Sequence, residues 1–148
     1  MRLAVIDCGT NTFNLVIIEY QGTERYNKLF QTRVAVKLGE GAINQGYIAQ
    51  AAFDRGLTAL AELKAAIHAH GAEKVIAFAT SAIRDAKNGV EFVNRAFTDH
   101  GISISVIDGQ READLIYFGV REAVAMDDRT SLIIDIGGGS TEFILASG

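Results

Sequence analysis

The chain has 148 residues, 49% of them apolar and 22% charged, a balance that suits one folded domain and excludes a disordered chain. Eighteen acids against fourteen bases leave a net charge of −4 with no Lys/Arg cluster, which argues against a nucleic-acid partner and makes any attraction for a polyanion local. One cysteine, Cys8, excludes an internal disulfide and fits a reducing cytoplasm, and the N-terminus meets Asp7 too soon for a signal peptide or a spanning helix, so no membrane association is expected.

Proline is absent, so loops must be built on glycine. Residues 3–6 form a short apolar run that predicts a strand buried on both faces. It leads into Asp7-Cys8-Gly9-Thr10-Asn11-Thr12, after which residues 13–20 resume as strand. Gly9 permits a tight turn, and Thr10, Asn11 and Thr12 place short donors beside exposed backbone N–H groups. A plain β-hairpin would use the same residues, so taken alone this turn leaves a phosphate site and a simple hairpin about even. Cys8 reads as a small packed side chain rather than a nucleophile.

Gly22 opens a second turn, residues 25–36 read as a more polar strand, and residues 37–46 as loop. From 48 to 70 the pattern is helical, with Phe53, Leu57, Leu60, Lys64 and Ile67 on one stripe and Gly71 as the C-terminal cap. His68 and His70 stand two residues apart, so they face different sides and read as exposed rather than as a metal pair. Residues 74–79 predict the next buried strand. The segment Thr80-Ser81-Ala82-Ile83-Arg84-Asp85 reads as the loop at its carboxyl end, where open α/β sheets place ligands. Arg84 there is a candidate phosphate clamp, with an ion pair to Asp85 or Glu91 as the alternative. Asn88-Gly89-Val90-Glu91 resembles a capping box opening a helix that Gly101 ends, and residues 102–107 predict a strand. Asp108-Gly109-Gln110 turns the chain into a helix over 111–126. Glu112 in its first turn suits the helix dipole and equally suits a general base in a crevice.

After the charged break Asp127-Asp128-Arg129, the stretch Leu132-Ile133-Ile134-Asp135-Ile136-Gly137-Gly138-Gly139-Ser140-Thr141-Glu142-Phe143 organises the rest. A strand runs into a carboxylate, three glycines, two hydroxyls and a second carboxylate. Glycines admit positive φ and close backbone approach, successive N–H groups can converge on an anion, and Asp135 and Glu142 can hold a hydrated cation against it. The reading is phosphate plus Mg²⁺ in preference to a bare glycine turn. Its design echoes the turn at Asp7, which makes coincidence less credible for both.

Together the two turns, the Ser81-Ala82-Ile83-Arg84-Asp85-Ala86 segment and Gly109-Gln110-Arg111-Glu112-Ala113-Asp114-Leu115-Ile116 resemble the exopolyphosphatase / guanosine-pentaphosphate phosphatase (Ppx/GppA) family. The resemblance implies an α/β fold: an actin-like ATPase (ribonuclease H-like) lobe, a mixed sheet flanked by helices. It implies hydrolysis of a terminal phosphoanhydride in polyphosphate or guanosine pentaphosphate, with Glu112 as the base that activates water. Phosphate would be held by Gly9, Thr10, Asn11, Thr12, Arg84, Gly137, Gly138, Gly139, Ser140 and Thr141, and Mg²⁺ by Asp7, Asp135 and Glu142. Two departures stand out: Arg111 precedes Glu112 where the family has a second acid, and Asp114 replaces an arginine. Family members also continue into a full second lobe, so residues 1–127 are expected to be the first lobe and 128–148 the opening hairpin of a second. The chain as given is expected to be weakly active, with self-pairing through that hairpin. Rival readings are a kinase of the same superfold and a non-catalytic nucleotide-binding module.

Overall fold

The computed structural model describes residues 1–22, 26–42 and 45–147. Strands β1 (Arg2–Cys8) and β2 (Thr12–Tyr20) pair antiparallel from Arg2↔Glu19 to Cys8↔Phe13, and β3 (Tyr26–Ala35) adds to β2 from Tyr20↔Tyr26 to Thr12↔Ala35. The expected start of β3 at Arg25 lies outside the described residues, as does Gly148. Helix α1 (Gln50–Ala69) carries the chain back so that β4 (Lys74–Ala79) runs parallel to β1. After the short helix α2 (Ser81–Arg84) and helix α3 (Gly89–His100), β5 (Ile104–Val106) joins β4, also parallel. The sheet order is β3-β2-β1-β4-β5, the mixed sheet flanked by helices that the sequence predicts.

The core lies on one face of this sheet. Ala4, Ile6 and Cys8 of β1, Phe13, Leu15 and Ile17 of β2, and Ala77 and Ala79 of β4 meet Phe53, Leu57, Leu60, Leu63 and Ile67 of α1 and Phe92 and Ala96 of α3. Phe92 anchors it, edge-on to both Phe13 (6.1 Å) and Phe53 (5.1 Å). Burial pushes the Cys8 thiol up, with Asp7 adding to the shift, so Cys8 is a packed side chain. Gly71 (φ 61°) and Gly101 (φ 68°) end α1 and α3 in the left-handed conformation, as expected. After Gly71, the Ala72 N–H reaches back to Ile67 O and closes the last turn.

Several local expectations are corrected. Residues 3–6 are buried on one face only: Ala4 and Ile6 are sealed, whereas Leu3 and Val5 stay partly open beside exposed Asp7. The cause is that the helices pack on one side of β1, and the other side stays partly open. Lys64 is exposed, and Leu63, one residue earlier, completes the α1 stripe as the 3.6-residue period drifts. His68 is exposed, but His70 is half-buried, its ring 4.3 Å from that of Phe30 and its Nδ1 2.8 Å from Ala66 O. Residues 81–84 form a helical turn rather than an open loop. Asn88 makes no side-chain cap to α3; its amide is spent on Ile48, donating to Ile48 O and accepting from Ile48 N at 2.9 Å each, which ties the entrance of α1 to that of α3.

Helix α4 (Gly109–Ala123) starts at Asp108, whose carboxylate accepts from the Arg111 N–H at 2.7 Å, and ends three residues sooner than expected. Strands β6 (Ser131–Ile136) and β7 (Thr141–Ala146) then form a separate two-stranded antiparallel sheet. Its pairs alternate faces. Ile133↔Ile144 and Asp135↔Glu142 share one face, with Ile144 and Ala146 lining a recess against Ala113 and Tyr117 of α4, and Tyr117 Oη donates to Ser147 O at 3.2 Å. Leu132↔Leu145, Ile134↔Phe143 and Ile136↔Thr141 share the other, where the five large apolar side chains are 50–78% exposed. One face of the hairpin therefore leans on α4, and nothing among the described residues packs on the outer one. Among the described residues no helix is long and apolar enough to cross a membrane.

Candidate active site

The echo between the two turns is structural. In each, a strand-end aspartate is followed two residues later by a glycine whose N–H donates to the carbonyl three residues on: Gly9 to Thr12 O at 3.1 Å, and Gly137 to Ser140 O at 3.0 Å. In each, the aspartate stands opposite the residue seven positions later, Asp7↔Asn14 and Asp135↔Glu142. The two hairpins face one another across a cleft of about 450 Å³. Asp7, Gly9, Thr10, Asn11 and Thr12 form one lip and Asp135, Gly137, Gly138, Ser140 and Glu142 the other, with Glu112 between them.

Of the two properties expected of the glycines, positive φ and close approach, the structure uses the second. Among the described residues, none of Gly9, Gly137, Gly138 and Gly139 takes the left-handed φ. What Gly138 and Gly139 supply is close approach. A Cβ on Gly139 would stand 2.6 Å from Thr10 Oγ1 and 2.7 Å from Ser81 Oγ, and one on Gly138 would stand 2.7 Å from Asn11 Cγ. Thr10 and Ser81 are buried and share a hydrogen bond of 3.1 Å, so the second turn is seated on a hydroxyl pair that joins the β1–β2 turn to α2. The first turn is braced from behind, since Val36 and Lys37 N–H both donate to Asn11 O and Leu38 N–H to Thr10 O. Among the described residues, the N–H groups of Thr10, Asn11, Gly138 and Gly139 have no protein acceptor, as anion-binding turns require.

Arg84 is not among the lining residues; it acts through Glu112. Its Nη1 donates to Glu112 Oε2 at 2.9 Å and to Ile107 O at 3.2 Å, and its Nε to Asp85 at 3.2 Å, so the ion pair with Asp85 and the contact with the site both exist. Its hydrogen bond takes one carboxylate oxygen of Glu112. The Glu112 side chain is 13% exposed beside a recess formed by Phe78, Ile107, Leu115 and Ile116. Burial raises its pKa above the ordinary glutamate value, against the pull of Arg84 and with help from the charge of Glu142. Asp7, though open to the cleft, is raised likewise, chiefly because the surrounding walls strip water from it, against the Asn14 hydrogen bond and with help from Asp135. Thr141 opens β7 opposite Ile136 and is not among the lining residues, and Gly139 faces Thr10 and Ser81 instead.

Asn14, Arg33, Thr80 and Ser81 also line the cleft and were not singled out as site residues. The seven-residue interval that repeats as Asp135 to Glu142 was the available signal for Asn14; Arg33 had none, since only sheet register brings it here.

Four carboxylates in one cleft fit a divalent cation. Among the described residues no three acids or other ligating groups stand close enough to cage an ion by themselves.

The chain matches the model of the "Ppx/GppA phosphatase family" over residues 16–148. It is 30% identical over 142 residues to exopolyphosphatase 1 of Mycobacterium tuberculosis, a match covering 96% of this chain and 41% of that protein. Among solved structures it is similar to an exopolyphosphatase from Cytophaga hutchinsonii (43% identity, TM-score 0.96, covering 99% of this chain and 47% of that one). It is also similar to the PPX-GPPA enzyme of Aquifex aeolicus (30% identity, TM-score 0.86, 100% and 49%). The chain thus spans less than half the length of each, and the shared architecture is the actin-like ATPase fold expected from its motifs.

Proposed function

The chain belongs to the Ppx/GppA phosphatase family, and we propose that its cleft binds and hydrolyses the terminal phosphoanhydride of inorganic polyphosphate or guanosine pentaphosphate. The observation that carries this reading is the convergence of two N–H-rich turns on one cleft beside a glutamate of raised pKa. The free N–H groups of both turns, with the Ser140 and Thr12 hydroxyls, hold the terminal phosphate. Glu112 has one oxygen bound to Arg84 and the other open to take the proton of the attacking water. Asp7 and Asp135, with Glu142 through water, would hold Mg²⁺, which when bound neutralises phosphate oxygens. As charge moves from the attacking oxygen to the leaving phosphate, the fixed N–H groups stabilise it without reorganising, while Arg84 holds Glu112 in place. The Asp114 and Arg111 departures change charge on α4 beside Glu112 and bear on substrate preference. A cytoplasmic setting is inferred from the lone cysteine, Cys8, which fits a reducing compartment.

With one face of β6–β7 uncovered, turnover by the 148 residues is slow. The test is orthophosphate release from tripolyphosphate and from guanosine pentaphosphate, at high protein concentration with Mg²⁺ and no acceptor. Slow release from at least one of them supports the hydrolase. Release that appears only on adding a hydroxyl acceptor would make the protein a kinase, and binding with no release a sensing module.

A further inference from the structure

Asp7, Asn14 and Arg33 lie opposite one another on three adjacent strands, and their side chains are bonded in a row across the sheet. Arg33 Nε donates to Asn14 Oδ1 at 2.9 Å, and Asn14 Nδ2 donates to Asp7 Oδ2 at 3.0 Å. An amide can accept from one neighbour and donate to the other, which an ionised carboxylate such as Glu142, the equivalent residue in the second hairpin, cannot do. The row fixes the inner end of the guanidinium. Among the described residues Arg33 forms no ion pair, and its two outer nitrogens have no acceptor.

Charge in the cleft makes this notable. Its lining residues include four carboxylates, Asp7, Glu112, Asp135 and Glu142, and one cation, Arg33, since Arg84 is engaged with Glu112 and Asp85 outside the lining. A polyanion entering such a cleft needs a local positive group beyond the one phosphate that the turns enclose. Arg33 stands two strand spacings from Asp7, roughly 9–10 Å. That is past the phosphate held between the turns and along the sheet surface that a longer chain would follow.

We propose that Arg33, held by Asn14, is a substrate-binding residue that grips a phosphate other than the one transferred, so that the site prefers a chain of phosphates to orthophosphate. The inference rests on the reading of the cleft as a phosphoanhydride site. A guanidinium tethered at Nε keeps its outer fork for two phosphate oxygens, a geometry that lysine cannot copy.

The experiment measures Mg²⁺-supported binding of tripolyphosphate and of orthophosphate by calorimetry to the wild-type chain, Arg33→Gln and Arg33→Lys. Arg33→Gln is expected to weaken tripolyphosphate about tenfold and orthophosphate less than about twofold, the size of one charge-assisted contact. Arg33→Lys is expected to fall between. Because Arg33 is exposed, the variants should melt with the wild type. Unchanged tripolyphosphate affinity in Arg33→Gln overturns the assignment and leaves the hydrolase reading intact. An equal loss for both ligands also overturns it, showing that Arg33 only orients Asn14 and Asp7. A wild type that binds neither ligand overturns this inference together with the functional reading.

Discussion

Gly139→Ala tests whether the second glycine turn is a joint between two parts of the chain. Its new Cβ would stand 2.6 Å from Thr10 Oγ1 and 2.7 Å from Ser81 Oγ, with Thr10 Cβ at 3.5 Å behind them. Both residues are about 5% exposed and their hydroxyls are bonded to each other at 3.1 Å, so neither can turn aside without leaving a buried polar atom unpaired. Overpacking of this kind costs about 1–3 kcal/mol. The strain should be relieved at the weaker partner. A two-stranded hairpin is marginal by itself, whereas the five-stranded sheet has the Phe13–Phe53–Phe92 core behind it. The hairpin should therefore lift from its seat with the main sheet unchanged. Hydrogen exchange would read this as roughly 5- to 150-fold faster exchange over residues 133–145, the range that 1–3 kcal/mol implies. Exchange in Ala4–Cys8 should not change, and orthophosphate binding should be lost. Gly119→Ala is the control: nothing lies within 4 Å of its Cβ, and α4 should gain up to about 1 kcal/mol. Unaltered hairpin protection in Gly139→Ala would refute the joint.

Asp7→Asn should raise the melting temperature in metal-free buffer at pH 7. The folded state holds the Asp7 proton more tightly than the unfolded state does, so stability from this group is complete below about 3.8, the ordinary value, and is lost as pH rises through the raised folded value. Melts at pH 7 and pH 3.5 check the sign: the gain should shrink at the lower pH, and an equal gain at both would refute it. The outer face of β6–β7, with Ile136 78%, Leu145 75% and Phe143 69% exposed, should drive self-association of the chain that light scattering detects as concentration-dependent mass. Ile134→Lys with Phe143→Lys should abolish it, and a wild-type chain that stays monomeric at high concentration would contradict the expectation.

Much of this site was legible because its elements are local. Asp7 through Thr12 and Asp135 through Glu142 carry their turns within a few residues, and Gly71 and Gly101 announce helix ends by the conformation they alone adopt cheaply. What escaped depends on tertiary register. Arg33 reads as one more polar residue in a polar strand until β3 pairs with β2 and places it opposite Asn14. Asn88 has the look of a cap because Glu91 stands at the right interval, yet the backbone of Ile48, forty residues away, claims its amide. The triple glycine suggested both freedom of φ and close approach, and the structure uses the second, toward the chain's own first turn: Asn11, Thr10 and Ser81 occupy the space that side chains at Gly138 and Gly139 would need. Lys64 shows the limit of a fixed three-four stripe over a helix as long as α1, where Leu63 is the residue that turns inward.

The central claim is that Glu112 takes a proton from water attacking a terminal phosphate, and the direct measurement is orthophosphate release in ¹⁸O-labelled water by wild type and Glu112→Gln. The substitution keeps the shape and the Arg84 contact but removes the proton acceptor. Release from tripolyphosphate should fall by roughly 10²–10⁴-fold, while orthophosphate binding stays within about a few-fold. Wild-type product should carry one solvent oxygen, and its rate should rise along an acid limb displaced above the ordinary glutamate value of 4.5, because burial raises the Glu112 pKa. Near-normal release by Glu112→Gln, or product without solvent oxygen, would contradict the account.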